Sequence, residues 1–351
     1  MLRRSKVATA IRFPLIVLVL FQHSVGDDPS PMRWSWDGGN LYHFLTEMLS
    51  HHLCSIAVPC FFVLSGFLFC HNLGGGQNDY SQIKNKLARR FRTLVIPFFL
   101  WNLLNVLAIL LVTKLFWIMD VPIVSDQMAA VRKGPLYWFV TGPIDFPLWY
   151  LRDLIVLMLL SPLLYVLIQR LPRFTIGLLV LVYFASVAGH YYPSLTFFGA
   201  GCWLALRQKN ILSVCCSVKY PAVLCALVFS VAATAFWGCP SHPYWWLLFA
   251  PVGMITFVNL FAALYRFPKV RKWMSKLSET VFFIYAAHEI YILGWTKGLL
   301  LRVFGDTLAG HWICYLAAPV LTLTICLALY YLLKRIVPKP LAFACGGRIT
   351  A

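Results

Sequence analysis

The 351-residue chain has few acidic residues and few charged residues of any kind. Asp and Glu number 12 against 30 Lys and Arg, and charged residues make up 12% of the sequence. Soluble domains carry roughly 25% charged residues, so this composition excludes an ordinary soluble domain. Hydrophobic residues reach 60%, and the mean hydropathy is +0.75. The sequence therefore predicts a polytopic membrane protein.

Other features are missing that would indicate other classes of protein. The sequence has no soluble domain, long linker, internal repeat or low-complexity tract, so we expect one integral-membrane domain covering residues 1–351. Its eleven cysteines lack the paired spacing of a metal site, and we predict no metal. No zinc finger, helix-turn-helix or RNA-binding motif accompanies the formal charge of +18. Membrane topology and attraction to anionic membrane lipid account for that charge, and we expect no nucleic-acid partner.

Ten apolar runs predict an all-α transmembrane helix bundle of about ten spans. They lie near residues 9–25, 44–70, 93–116, 149–168, 174–190, 194–207, 221–238, 245–265, 279–296 and 312–334. A cytoplasmic N-terminus puts 23 of the 30 Lys and Arg residues on the inner side and seven outside. Because cytoplasmic loops are enriched in Lys and Arg, this split predicts that both termini are cytoplasmic.

Two ionisable residues, Arg12 and His23, bracket the first apolar run. Eleven residues of helix span about 16 Å. If Arg12 lies at one headgroup layer, His23 lies past the middle of a hydrocarbon core about 30 Å thick. A histidine at that depth indicates a functional site, and imidazole chemistry suits a general base. The alternative interpretation is a histidine bonded to a backbone carbonyl.

The second span contributes two further candidates. Ser65 and Gly66 interrupt an apolar run, which permits close approach of a neighbouring helix. Close packing is the simpler interpretation of Ser65, and a direct chemical role is the other. Glu47 and His51 are four residues apart and share a helix face near the outer end of this span. We expect the Glu47 carboxylate to orient His23, as an acid orients the base in other catalytic sites.

A basic cluster precedes the third span, within the sequence KNKLARRFR of residues 84–92. Basic residues are ordinary on the cytoplasmic side of a membrane. Arg89, Arg90 and Arg92 at a helix entry also suit bidentate binding of phosphate or pyrophosphate. The second interpretation predicts a cytosolic phosphorylated donor.

The ninth span carries His288 and Glu289 well inside its apolar sequence. Two ionisable groups at membrane depth favour a polar cavity over a lipid-facing surface. The sequence does not indicate whether His288 or Glu47 shares a cavity with His23.

Five segments, in this order, resemble the integral-membrane acyltransferase-3 family. They are the Arg-x10-His pattern of 12–23, FFVLSGFL at 61–68, the Arg-x-Arg of 90–92 before IPFFLWN, PLWYLRDLIVL at 147–157 and SETVFFIYAAHE at 278–289. Their order and spacing extend over most of the chain, from residue 12 to residue 289.

The resemblance implies an O-acyltransferase of the cell membrane, in a bacterium the inner membrane. The enzyme would move an acyl group, expected to be acetyl, from cytosolic acyl-CoA to a hydroxyl of a surface or lipid-linked carbohydrate. The resemblance further implies that His23 is the essential histidine, that Arg12 is its paired arginine, and that Arg90 and Arg92 contact the CoA donor. Acyl-CoA is then a co-substrate, and no cofactor is expected. Some family members append a soluble domain, which we do not expect here.

The alternative function is a proton-coupled transporter or flippase of a glycan or small metabolite, with His23, Glu47 and His288 as a proton relay. No inverted repeat or matching pair of broken helices is visible in the sequence, which favours the acyltransferase. For the acyltransferase, direct attack by the acceptor hydroxyl and an acyl-histidine intermediate both stay open. The sequence predicts neither the identity of the acceptor nor the oligomeric state.

Overall fold

The described part of the chain folds into helices. The computed structural model describes residues 7–25, 30–32, 35, 37–73, 76, 79–120, 126–189 and 191–347. Within these ranges every regular element is helical and no strand occurs. The predicted all-α fold is confirmed. Five basic residues that entered the predicted charge distribution lie outside the described residues: Arg3, Arg4, Lys6, Arg33 and Arg348.

The helices coincide with the ten predicted apolar runs, and short helices lie between them. In chain order they are α1 (Val7–Gln22), α2 (Gly38–Cys70), α3 (Asp79–Ile118), α4 (Asp126–Arg132), α5 (Phe146–Arg170), α6 (Pro172–Ala188), α7 (Ser194–Leu206), α8 (Ile211–Ser217), α9 (Lys219–Ala235), α10 (His242–Leu264), α11 (Pro268–Leu277), α12 (Val281–Ala287), α13 (Leu293–Phe304), α14 (Leu308–Ile336) and α15 (Pro338–Ala344). The predicted ninth span is divided between α12 and α13.

In the part of the chain that the structure describes, five helices are long and apolar enough to cross a membrane: α2, α3, α5, α10 and α14. Helices α8 and α9 meet at 76° and give a sixth span if the pair counts as one. Helices α1, α6 and α7 are apolar but only 10–17 residues long, whereas a complete span needs about 20 residues. The protein is therefore a multi-pass membrane protein with five or six clear spans, and the number ten stays a prediction.

Helices α2 and α7 pack backbone against backbone beside the site. A Cβ on Gly66 would collide with the carbonyl oxygen of Phe198, and a Cβ on Gly201 would collide with that of Val63. Both obstacles are main-chain atoms, which cannot rotate away, so glycine is required at both positions. The prediction that Gly66 permits close approach of a neighbouring helix is confirmed.

Helix α1 turns one face to the interior of the bundle and the other to a cavity. Leu15, Ile16 and Leu20 on its inner face are fully buried in a cluster with residues of α2, α10 and α12. Arg12 and His23 are only partly buried. Packing of the apolar face therefore holds α1 in the bundle, and the side chains of Arg12 and His23 face the cavity.

Widened helical turns mark three places near the candidate site. They occur at Met48–Leu53 within α2, at Phe91–Val95 within α3 and at His288–Ile292 after α12. The turn in α3 has a local cause, because Pro97 has no N–H to bond the carbonyl of Thr93 one turn earlier. Such turns often accompany functional sites.

Candidate active site

One cavity is lined by residues of all five segments on which the family resemblance rests. It has a volume of about 410 Å³ and lies among α1, α2, α3, α5 and the segment at the start of α12. Of the predicted site residues, the structure places four in its wall: Arg12, His23, Ser65 and Arg90. Two tyrosines that the sequence analysis did not single out, Tyr150 and Tyr285, also line it.

Arg12 and His23 reach the same cavity because of the helix that joins them. The helix is regular from Arg12 to Gln22. Eleven residues at 3.6 per turn make about three turns, so the two side chains lie on one face roughly 16 Å apart. This separation places them at opposite ends of the cavity.

Glu289 is the carboxylate beside His23. The Glu289 Oε1 atom lies 3.6 Å from His23 Nδ1, and the two side chains keep 30% and 21% of their surface exposed. The distance is longer than a hydrogen bond but short enough for the carboxylate to favour an imidazole with Nδ1–H directed toward it. In that tautomer His23 Nε2 is free to accept a proton.

His288 lies against His23 and is fully buried. The two ring centroids are 5.5 Å apart. His288 Nδ1 lies 3.0 Å from the carbonyl oxygen of Ile284 and 2.9 Å from that of Tyr285. Carbonyl oxygens only accept hydrogen bonds, so Nδ1 carries the proton and Nε2 has a lone pair. This Nε2 atom has no hydrogen-bond partner among the described residues.

The backbone breaks directly after His288 and Glu289. Ile290 has a non-helical ψ of 79° and Tyr291 has a φ of 61°. A left-handed conformation costs an L-residue roughly 1–2 kcal/mol, and such strain tends to occur at functional sites. The sequence predicted one continuous ninth span here, because its apolar pattern continues across the break.

The same three residues offer donor atoms of the kind that bind metals. One donor atom each from His23, His288 and Glu289 lies within 4.8 Å of the others. Imidazole nitrogens and a carboxylate oxygen could hold a zinc ion. The trio equally forms an acid–base group, with a carboxylate that orients one imidazole and a second imidazole beside it.

Asp145 is a site neighbour that the sequence analysis did not single out. Its side chain is fully buried, and neither carboxylate oxygen has a hydrogen-bond partner among the described residues. Burial, and next the nearby charge of Glu289, raise the pKa of Asp145 well above its usual value. The only sequence signal was its position two residues before the PLWYLRDLIVL segment.

Glu47 does not occupy the position that the sequence analysis gave it. Its carboxylate is fully buried, bonds His51 Nδ1 through Oε2 and lies 3.9 Å from His43 Nε2 through Oε1. The Glu47 carboxylate is therefore engaged with histidines of its own helix, α2. The position beside His23 belongs to Glu289, because the residues after α12 approach the end of α1.

Ser65 and the two tyrosines contribute three hydroxyl groups to the cavity. Ser65 Oγ lies 3.0 Å from Tyr150 Oη, and Tyr285 Oη donates a hydrogen bond to the carbonyl of Pro147. The PLWYLRDLIVL and SETVFFIYAAHE segments contributed these tyrosines, although only the segments, and not the residues, were singled out from the sequence.

Positive charge dominates the end of the cavity away from His23. Arg12 and Arg90 both line it and repel one another, and neither forms an ion pair with a described carboxylate. The carboxylate of Glu279 also lines the cavity, but it is bonded to Lys334 Nζ at 3.1 and 3.2 Å. Partial burial of two positive charges near one another costs free energy unless an anion neutralises them. This end of the cavity therefore suits an anionic ligand.

Arg89 and Arg92 lie away from His23. Both are exposed and line a separate cavity with the turn after α15. The three predicted donor-binding arginines are therefore divided: Arg90 faces the cavity of His23, and Arg89 and Arg92 face the outside of the helix bundle.

Comparison with known proteins gives the family of the chain and one relative. The family model of the acyltransferase-3 domain, described as an acyltransferase domain, matches residues 9–331. The succinoglycan biosynthesis protein ExoH of Rhizobium meliloti (strain 1021) is 26% identical, over 97% of this chain and 92% of its own length. The comparison with solved structures gives no match.

Proposed function

The chain belongs to the acyltransferase-3 family and is an acyltransferase, and we propose that it transfers an acetyl group from acetyl-CoA to a carbohydrate hydroxyl. The observation that carries the proposal is the cavity itself. At one end it has two guanidinium groups, those of Arg12 and Arg90, neither in an ion pair with a described carboxylate. At the other end it has His23, with the Glu289 carboxylate 3.6 Å from His23 Nδ1. The first suits the phosphates of a CoA donor, and the second suits proton transfer at its thioester.

The reaction balances with the residues present. His23 Nε2 takes the proton of the acceptor hydroxyl while Glu289 stabilises the imidazolium that forms. The acceptor oxygen attacks the thioester carbonyl, the carbon–sulfur bond breaks, and the CoA thiolate takes the proton back from His23. The products are an O-acyl ester and CoA thiol. In the acyl-histidine alternative, His23 Nε2 itself attacks the thioester carbonyl, and the carbon–sulfur bond breaks to release the CoA thiolate. The acceptor hydroxyl then attacks the acyl-imidazole, the carbon–nitrogen bond breaks, and the hydroxyl proton passes to the thiolate.

A carbohydrate acceptor is supported by the relative that takes part in succinoglycan biosynthesis. The proton-coupled transporter that the sequence left open is not favoured, because the family is one of acyltransferases. Incubation of purified protein with radiolabelled acetyl-CoA and a surface-glycan extract tests the proposal. Label on glycan supports it, and acetyl-CoA that is neither bound nor consumed contradicts it.

We further propose that the protein lies in the cell membrane with both termini and residues 84–92 in the cytoplasm. Contacts between helices support this arrangement. His52 Nε2 lies 3.0 Å from His242 Nε2, which brings together two segments that the charge pattern puts outside. Arg207 donates a hydrogen bond to the carbonyl of Ile168. This contact brings together two segments that the charge pattern places on the inner side.

Reporter fusions are expected to reproduce this topology. Fusions after residue 80 should report a cytoplasmic position, and fusions after residues 130 and 240 should report an external one, because of the uneven distribution of Lys and Arg. Alkaline phosphatase and green fluorescent protein activities in intact cells provide the measurement. A cytoplasmic signal at residue 130 would contradict the proposed topology.

Two substitutions test which acid orients His23. Glu289 lies beside His23 in the structure, whereas Glu47 was the acid predicted from the sequence. Glu289→Gln is expected to lower kcat about tenfold or more, because it removes the charge that stabilises imidazolium while keeping the shape. Glu47→Gln is expected to affect thermal stability more than kcat, since Glu47 contacts His51 and His43. Steady-state kinetics and thermal unfolding of both variants are the measurements. The reverse result, with kcat lost in Glu47→Gln alone, would restore Glu47 as the orienting acid.

A further inference from the structure

The side chains beside His23 form a compact group of potential metal ligands. One donor atom each from His23, His288 and Glu289 lies within 4.8 Å of the other two, and among the described residues this is the one such group of three or more. Two imidazole nitrogens and one carboxylate oxygen hold zinc in three-ligand protein sites and leave a fourth position open. Cysteine spacing gave no sign of this group, because the group contains no cysteine.

His288 has the features of a metal ligand. Its side chain is fully buried, and its Nε2 lone pair has no hydrogen-bond partner among the described residues. Its Nδ1–H donates to the backbone carbonyls of Ile284 and Tyr285. Metal-ligating histidines almost always donate the other ring N–H to a carbonyl, carboxylate or water, which fixes the tautomer and the ring orientation. A buried acceptor without a donor costs free energy, and a cation at Nε2 removes that cost.

The other two ligands can close around an ion by small movements. Ligand atoms of a tetrahedral zinc site lie about 3.3 Å apart, because each is about 2.0–2.2 Å from the metal. Glu289 Oε1 is already 3.6 Å from His23 Nδ1, and both side chains are partly exposed. They can therefore rotate toward an ion that arrives from solvent, while the two backbone carbonyls hold His288 in place.

The charges around the group do not exclude a dication. Glu289 raises the pKa of nearby Asp145, whose carboxylate oxygens have no hydrogen-bond partner among the described residues. The positive charge of Lys297 also acts on Glu289. Asp145 and Lys297 have opposite effects on a cation, so the donor atoms decide which ion binds. Imidazole nitrogen favours zinc, whereas magnesium and calcium prefer oxygen ligands.

We propose that His23, His288 and Glu289 bind one zinc ion, and that the bound ion inhibits acyl transfer. The inhibition rests on the proposed function, in which His23 Nε2 takes the acceptor proton and Glu289 stabilises the imidazolium. Zinc on His23 Nδ1 takes the lone pair there, and the proton of the neutral ring moves to Nε2, which then cannot accept another. Zinc on Nε2 occupies that lone pair directly. In either case the base is lost until the ion leaves.

Cobalt(II) binding tests the site without any substrate. Full-length protein in phosphatidylcholine nanodiscs is freed of metal with a chelator and titrated with cobalt(II), whose visible absorption reports its coordination, and zinc is then added to displace it. Wild-type protein is expected to bind one ion per chain. His288→Gln and Glu289→Gln should each weaken binding by more than about a hundredfold, because even losing a hydrogen bond that supports a metal ligand costs 10–100-fold.

His242→Gln is the matched control for these variants. His242 Nε2 lies 3.0 Å from His52 Nε2 in a separate histidine pair, so its replacement should leave the cobalt absorption unchanged. Thermal unfolding of each variant is measured beside the titration. A variant that unfolds near the wild-type temperature and no longer binds cobalt has lost a ligand, because its fold is intact.

Zinc inhibition is measured on the same proteins. Transfer of radiolabelled acetyl groups from acetyl-CoA is followed with zinc, with magnesium and after chelation. Zinc is expected to lower the wild-type rate about a hundredfold or more, the least that a general base contributes, and chelation should restore the rate. Magnesium should have no such effect. The activity that His288→Gln retains should need more than about a hundredfold more zinc for half-inhibition.

The results that contradict the inference are separable. Cobalt absorption that survives in both His288→Gln and Glu289→Gln, or that His242→Gln abolishes, would place the ion elsewhere and overturn the site. Full activity of the zinc-bound protein, or activity that requires zinc, would overturn the inhibition. Absence of transfer under every metal condition would contradict the proposed function and with it the inhibition, whereas the cobalt absorption would still establish the ion site.

Discussion

Replacing His23 with Gln is expected to lower the rate of acyl transfer about 10²–10⁴-fold, the usual contribution of a general base. Glutamine keeps hydrogen-bonding capacity but cannot accept a proton near neutral pH. His23 lies at the end of α1 with its side chain partly facing the cavity, so the exchange removes little packed volume. Expression level and thermal unfolding should stay close to those of the wild type. Turnover of acetyl-CoA with saturating acceptor is the measurement.

His288 provides the matched comparison for this prediction. It is a second imidazole beside the first, but it does not line the cavity that holds Arg12 and Arg90. His288→Gln is therefore expected to cost less activity than His23→Gln. If the His23 variant keeps more than about a tenth of the wild-type rate, the loss is smaller than a base provides, and His23 is structural. If the His288 variant loses more activity, the base is His288.

The same variant decides between the two chemical routes. With radiolabelled acetyl-CoA and no acceptor, an acyl-histidine route leaves label on wild-type protein after rapid quenching and none on His23→Gln. Direct attack by the acceptor leaves both proteins unlabelled, because no bond to the enzyme forms.

The parts of the site that the sequence predicted are those fixed within one helix. Arg12 and His23 lie on one α1 face because their spacing is about three turns, and Gly66 allows close packing because it lacks a side chain. The positions and lengths of the apolar runs likewise predicted where the helices lie. These features depend on local geometry, which the order of residues determines directly.

The partner of His23 was not predictable in this way. Periodicity showed that Glu47 shares a face with His51, but not which helix packs against the end of α1. That position depends on the backbone break at Ile290–Tyr291, which brings Glu289 to 3.6 Å from His23. Asp145 was missed for a similar reason, because its burial comes from the tertiary packing of a loop residue. The division of Arg90 from Arg89 and Arg92 follows from the orientation of α3 in the bundle.

Removing the two guanidinium groups of the cavity is expected to have the second largest effect. Arg12→Gln and Arg90→Gln should each weaken CoA binding by about 1.5–3 kcal/mol, the value of a hydrogen bond to a charged group. That energy corresponds to a roughly tenfold to hundredfold increase in Kd. The double variant should bind CoA more weakly than either single variant. Calorimetric titration with CoA measures the loss, and Arg271→Gln on the exposed surface of α11 is the control.

The stability of these variants distinguishes a ligand site from a structural pair. Arg12 and Arg90 repel one another and have no carboxylate partner among the described residues, so neither residue is expected to stabilise the protein without its ligand. The double variant should therefore unfold at the wild-type temperature, or above it, when no CoA is present. Wild-type protein should gain stability with added CoA, because a ligand that binds only the folded state stabilises it, and the double variant should not. A large loss of stability without CoA, together with an unchanged Kd, would show that the two arginines support the fold and leave the donor site elsewhere.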